Sequence, residues 1–103
     1  MGKFHEYELP GEDLIIKGLE DLNNNIESIE SLLVLIGAPR LRALNLPIPK
    51  SLHREFPENR LYRLLERQDS NNTYSRFNAY IRLLVSFESS LENLRKKGRN
   101  SDL

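Results

Sequence analysis

Three arginines provide the clearest candidate for chemistry in this sequence. Arg60, Arg63 and Arg67 are spaced i, i+3 and i+7, so on a helix they share one face. Guanidinium groups at this spacing can contact successive phosphates of a nucleic acid. Further basic residues come just before them, namely Arg40, Arg42, Lys50 and Arg54. The sequence therefore indicates a local basic surface between residues 40 and 67, suited to nucleic acid or to an acidic protein.

Several features weigh against nucleic acid as the ligand of these arginines. Glu66 interrupts the basic series, and the whole chain has a formal net charge of zero. No motif that reads a nucleic-acid groove is visible, and three arginines on a helix more often form a solvated face. We therefore keep nucleic-acid binding as the alternative function rather than the first.

A histidine and two carboxylates offer the nearest approach to a metal site. His53, Glu55 and Glu58 lie close together in the sequence H-R-E-F-P-E. Metal ligands on a helix share a face at i, i+3 or i+4, but Pro57 interrupts any helix here and Arg54 sits inside the set. The sequence predicts neither a bound metal nor a cofactor.

Catalytic signatures are missing from the sequence. It contains no G-x-S-x-G nucleophile turn, no Walker loop and no G-x-G-x-x-G turn. General acid–base chemistry needs a carboxylate desolvated in a pocket. Glu88 comes nearest, since it follows the apolar Phe87, but we expect it to extend toward Arg95 or Lys96. We predict that the chain is not an enzyme.

The first long apolar pattern predicts a helix over residues 12–36. Pro10 and Gly11 precede it, and Gly37 with Pro39 is expected to stop it. The run Asn23-Asn24-Asn25 is poor helix material, yet the pattern passes through it in phase, which favours one continuous helix. The residues of this heptad seam are Ile15, Leu19, Leu22, Ile26, Ile29, Leu33 and Ile36.

A second long helix is predicted over residues 73–97, ending at Gly98, with a frayed tail over 98–103. A shorter helix over 57–68 has proline at its tolerated first position. The second heptad seam consists of Phe77, Tyr80, Leu84, Phe87, Leu91 and Leu94.

Together these patterns predict an all-α, bundle-like single domain over residues 1–103. The two long helices would form an antiparallel pair, joined through a Pro-rich crossover over 37–56 with short helical turns. Residues 1–10 are expected to form an extended arm. The crossover's apolar residues should pack across the pair: Leu41, Leu44, Leu46 and Ile48. More apolar surface flanks the seams than one facing helix can cover, so we expect self-association or a partner subunit to complete the bundle; a single-chain bundle is the alternative.

Charge is unevenly distributed along the chain. Residues 1–36 have a net charge of −6, and residues 37–82 have +5. Such asymmetry fits an acidic helix packed beside a basic one, or a basic segment facing a polyanion, and we favour the first. The chain has no cysteine, no membrane-spanning run and no signal-peptide pattern, so we expect an intracellular protein. The function predicted first is a non-catalytic helical interaction protein, either a homodimer or a small subunit of a complex.

Overall fold

Four α-helices make up most of the part of the chain that the structure describes. The computed structural model describes residues 9–49 and 55–101, with side chains as far as Lys96. The helices are α1 (Glu12–Asn23), α2 (Ile29–Ala43), α3 (Pro57–Gln68) and α4 (Thr73–Ser101), with a 3₁₀ turn at Ser70–Asn72. No strand occurs in these two described ranges. The predicted all-α, bundle-like fold is therefore confirmed.

The predicted continuous helix over 12–36 is wrong, because the chain turns between α1 and α2. Asn25 has a left-handed backbone with φ of 57°, a conformation that asparagine adopts more readily than most residues. The Ile26 N–H donates to the carbonyl of Asp21 at 2.7 Å, and the Asn25 N–H donates to that of Leu22 at 3.1 Å. These two bonds form a Schellman motif, which ends α1.

A capping box then begins α2. The Ser28 hydroxyl accepts from the Ser31 N–H at 3.0 Å, while the Ser31 hydroxyl accepts from the Ser28 N–H at 2.7 Å. The Ser28 hydroxyl also donates to the Asp21 carboxylate at 2.6 Å, and the Lys17 ammonium donates to it at 2.9 Å. These hydrogen bonds, from Lys17 first and then Ser28, lower the pKa of Asp21 below its ordinary value. Asp21 thereby joins the end of α1 to the cap of α2.

Gly37 and Pro39 do not stop α2, contrary to the prediction, and the helix continues to Ala43. Proline inside a helix costs about 3 kcal/mol. Burial of Leu41 and Leu44 beyond it offsets that cost. Gly37 serves close packing instead: a Cβ there would lie 2.7 Å from Leu84 Cδ1 of α4. The glycine therefore sets the approach of α4 rather than the end of α2.

The expected antiparallel arrangement of the two long helices is also wrong for α2 and α4. Gly37 lies against Leu84, Arg40 lies 3.5 Å from Glu88, and the carbonyl of Ala43 accepts from Arg95 at 3.1 Å. The contacts advance along both helices in the same direction, so α2 and α4 run parallel where they meet. The predicted pairing required one unbroken first helix, which the turn at Asn25 removes.

The shorter helix and the start of the last helix agree with the prediction. α3 covers Pro57–Gln68, and α4 begins at Thr73 but extends through Gly98 to Ser101. Gly98 thus does not end α4. The tail residues 102–103, the arm residues 1–8 and the crossover residues 50–54 lie outside the described residues. The apolar crossover residues pack into the core as expected: Leu41, Leu44, Leu46 and Ile48 are all buried.

Candidate functional site

A groove lies between the arginine-bearing face of α3 and the turn that joins α1 to α2. Its volume is about 310 Å³. Three of its lining side chains are the arginines whose spacing predicts one shared helix face. The full lining is Glu27, Glu55, Phe56, Asn59, Arg60, Arg63 and Arg67. The structure therefore brings Arg60, Arg63 and Arg67 together, as their spacing predicted.

The core fixes the direction in which α3 presents its arginines. Leu61 and Leu65 are fully buried against the rest of the molecule. Arg60, Arg63 and Arg67 are exposed on the same helix. Because the leucines and arginines belong to one rigid element, burial of the first set orients the second. The groove thus has a regular helical wall on one side.

Arg60 is held in place by two contacts. Its Nε donates to the backbone carbonyl of Glu55 at 3.1 Å, so the side chain folds back over the start of α3. Its terminal nitrogen NH1 donates to Glu27 Oε1 at 3.1 Å. Glu27 lies in the α1–α2 turn, so this ion pair spans the groove from one wall to the other.

Arg63 and Arg67 differ from Arg60 in their contacts. Within residues 9–49 and 55–101, neither forms an ion pair or a side-chain hydrogen bond. Guanidinium groups present up to five donors in a planar fork that matches carboxylate and phosphate. These two side chains therefore offer guanidinium donors to a ligand, with no partner among the described residues.

Phe56 adds an apolar side chain to the groove that the sequence patterns did not indicate. It is 69% exposed, and its φ of 52° places it in the left-handed region. A bulky residue seldom adopts this conformation, which costs on the order of 1–3 kcal/mol. In the sequence, only its position directly before Pro57 indicates an unusual backbone here. A residue that precedes proline has a restricted choice of backbone conformation. The strained backbone presents an aromatic ring beside the arginines.

The other predicted basic residues do not join this groove. Arg40 pairs with Glu88 at 3.5 Å and with Glu92 at 3.7 Å. Arg42 donates to the carbonyls of Ile48 at 2.8 Å and Pro49 at 3.0 Å, which holds the crossover against α2. Arg54 lies outside the described residues. The basic surface predicted over residues 40–67 is thus divided, and its described part in the groove comes from α3.

The heptad seams lie mostly inside the molecule. Ile26 is the exception, at 50% exposed in the α1–α2 turn. The buried members are Ile15, Leu19, Leu22, Leu33, Leu84, Phe87 and Leu91. The half-buried members are Ile29, Ile36, Phe77, Tyr80 and Leu94. Most of the seam surface is therefore covered by the chain's own helices.

A second cavity, of about 300 Å³, lies between the ends of α2 and α4. The cationic side chains that line it already have partners: Arg40 contacts Glu92, Lys96 lies 3.6 Å from Glu92, and Arg95 donates to the carbonyl of Ala43. The contacts of Arg40 and Arg95 join the two helices, and that of Lys96 lies within α4. No group of three potential metal-ligating side chains occurs in the part of the chain that the structure describes.

Comparison with protein-family models, with curated proteins and with solved structures gave no match to this chain. The class that the fold defines is a small all-α bundle. None of the helices in the described ranges combines the length and the apolar character needed to cross a membrane.

Proposed function

We propose that this chain is a non-catalytic binding protein that recognises an acidic segment of another protein through the α3 groove. The observation that carries the proposal is the convergence of Arg60, Arg63 and Arg67 with the exposed ring of Phe56. Arginine and aromatic residues are enriched at protein interfaces and dominate their binding energy. A groove that offers both fits a segment with carboxylates and at least one apolar side chain.

The charge of the groove favours a protein over a nucleic acid. Glu27 and Glu55 line the same groove as the three arginines. A continuous phosphate backbone would meet these carboxylates as like charges, whereas a protein segment can place neutral or apolar groups beside them. Arg40 is paired with two carboxylates and Arg42 is bound to backbone carbonyls, so neither adds a guanidinium to the groove. Nucleic-acid binding is therefore the alternative that the binding assay described below must exclude.

Fluorescence anisotropy with a short labelled peptide of Glu, Leu and Ala tests the proposal. Reversal of two groove charges in Arg63→Glu/Arg67→Glu is expected to weaken peptide binding by about tenfold or more. Each substitution replaces an arginine that attracts a peptide carboxylate with a glutamate that repels it. Arg82→Glu is the control, because Arg82 is an exposed arginine of α4 outside the groove. Its affinity should stay close to that of the unaltered protein.

Two further probes separate the alternatives in the same assay. A peptide with Gln in place of every Glu should bind weakly, because it lacks the charge that the arginines recognise. A labelled single-stranded RNA should bind no better than the acidic peptide at the same salt concentration. Tight RNA binding that the arginine reversals abolish, with no peptide binding, would replace the proposal with nucleic-acid recognition.

Self-association through α4 is a second candidate, supported by an apolar stripe. Tyr74 is 71% exposed and Val85 is 47% exposed. They lie about three turns apart on one face of α4, with the half-buried Ile81 between them. Light scattering of the pure protein distinguishes this candidate: a dimer that Val85→Glu converts to a monomer supports it, and a monomer at tens of micromolar rejects it.

A further inference from the structure

The ion pair between Arg60 and Glu27 places a carboxylate inside the groove. NH1 of Arg60 lies 3.1 Å from Oε1 of Glu27 and 3.5 Å from Oε2. The two residues are 33 positions apart in sequence, so the fold and not local geometry brings them together. The groove therefore already holds the type of group that an acidic partner would supply.

We infer that Glu27 is an internal competitor for the partner: a carboxylate of the bound segment takes its place at Arg60. This inference rests on the proposed function of the groove. The Arg60 and Glu27 side chains are 46% and 35% exposed, respectively. Water and salt screen ion pairs of this exposure, so such a pair is weak and exchanges readily. The same exposure leaves the arginine accessible to an incoming carboxylate.

The second contact of Arg60 keeps its side chain in position when Glu27 is displaced. Its Nε donates to the backbone carbonyl of Glu55, which does not depend on Glu27. When Glu27 leaves, the guanidinium keeps this anchor and its terminal nitrogens stay directed into the groove. The partner thus meets an arginine that is already positioned, which reduces the entropy lost on binding.

The helix spacing then specifies the partner's carboxylates. Arg60 and Arg67 are seven residues apart, which is about 10 Å along α3. A segment that engages all three arginines must distribute its acids over about that length, as two turns of an acidic helix do. The exposed Phe56 lies at the beginning of this row, so the segment needs an apolar side chain at that end.

Glu27→Gln tests the inference with little change in shape. The substitution removes the competing charge but keeps the side-chain volume, so the labelled acidic peptide should bind about two- to fivefold more tightly. Glu20→Gln is the matched control, because Glu20 is an exposed glutamate of α1 outside the groove. This substitution changes the net charge by the same amount as Glu27→Gln. Circular dichroism should show equal helicity for both variants, because both sites are exposed.

A double variant assigns the gain to Arg60. In the Arg60→Gln background, Glu27→Gln should no longer improve peptide affinity, because the competed site is gone. Equal effects of Glu27→Gln and Glu20→Gln would overturn the inference while leaving the groove proposal intact, provided that Arg63→Glu/Arg67→Glu still weakens binding. Absence of peptide binding in every variant, including the unaltered protein, would instead overturn the proposed function and this inference together.

Discussion

The packing of α4 against α2 buries the carboxyl group of Glu88 and changes its pKa. It lies on α4 and is almost fully buried against α2, where a Cβ on Gly37 would stand 2.9 Å from its Oε2. Burial raises the pKa of Glu88 above its ordinary value, and the nearby positive charge of Arg40 only partly opposes this shift. The carboxyl group is therefore easier to protonate in the folded chain than in the unfolded chain.

The raised pKa predicts how stability changes with pH. The folded state binds the Glu88 proton more tightly, so the contribution of Glu88 to the free energy of unfolding is greatest at low pH. It is lost as the pH rises from the ordinary value of 4.5 through the raised pKa. Glu88→Gln should remove this loss, so urea denaturation across that range should show a smaller decline for the variant than for the unaltered protein.

Glu92→Gln is the control for this titration. Glu92 also pairs with Arg40, but it is more exposed, and the variant retains Glu88. Its stability should therefore decline with pH as in the unaltered protein. Identical pH dependence of the Glu88→Gln variant and the unaltered protein would show that Glu88 is not desolvated.

Two neighbouring seam residues should respond differently to truncation. Leu22 is buried, so Leu22→Ala should lower the free energy of unfolding by about 2–5 kcal/mol through lost burial and a cavity. Ile26 is half exposed in the α1–α2 turn, so Ile26→Ala should change it by about 0.5 kcal/mol or less. Chemical denaturation measures both. Similar costs at the two sites would mean that Ile26 is buried, which would contradict its exposed position in the turn.

At the scale of elements, the turn between α1 and α2 is where sequence and structure differ most. Leu22 and Ile26 are four residues apart, which suits a continuous seam as well as a helix followed by a Schellman turn. The decisive features are local: asparagine in the left-handed position at Asn25, and the reciprocal cap of Ser28 and Ser31. Asparagine runs also occur inside helices, so only the backbone geometry resolves the two cases.

The apolar pattern of α2 also explains why the sequence did not predict a helix boundary before Ile29. Leu32, Leu33, Val34 and Leu35 are all buried, so this helix is apolar on most sides rather than along one stripe. A heptad seam can be drawn through such a segment in more than one phase. By contrast, α3 has proline at its first position and a clear division between leucines and arginines. Its bounds were predicted correctly for that reason.

Two glycines provide a test of how closely the helices approach. A Cβ at Gly18 would overlap the carbonyl oxygen of Glu30 and Cγ2 of Val34, so Gly18→Ala must move the backbone of α1 away from α2. We expect a loss of about 3 kcal/mol in the free energy of unfolding. A Cβ at Gly37 would meet the side-chain ends of Leu84 and Glu88, which can shift.

Gly37→Ala is therefore the comparison for Gly18→Ala. Alanine also favours a helix over glycine by about 1 kcal/mol, so the net loss at Gly37 should be about 1 kcal/mol. Urea denaturation of the two variants shows which substitution lowers the free energy of unfolding more. A larger loss at Gly37 than at Gly18 would mean that α2 packs more tightly on α4 than on α1.

At the scale of the molecule, the sequence predicted the arginine row but not the groove around it. The spacing of Arg60, Arg63 and Arg67 depends only on helix periodicity, which sequence reveals well. Glu27 reaches Arg60 across the groove because the chain turns at Asn25, and the strained backbone of Phe56 belongs to the junction before α3. Those contacts depend on the path of the chain in space, which local patterns do not determine.

The most direct test of the proposed groove is residue-resolved mapping of peptide binding by nuclear magnetic resonance. Amide signals of the isotope-labelled protein are followed as the acidic peptide of Glu, Leu and Ala is added. The groove account predicts that the largest shifts fall on Glu27, on Phe56 and on α3 from Asn59 to Arg67. Shifts confined to the exposed face of α4 around Tyr74 and Val85, or no shifts at all, would contradict it.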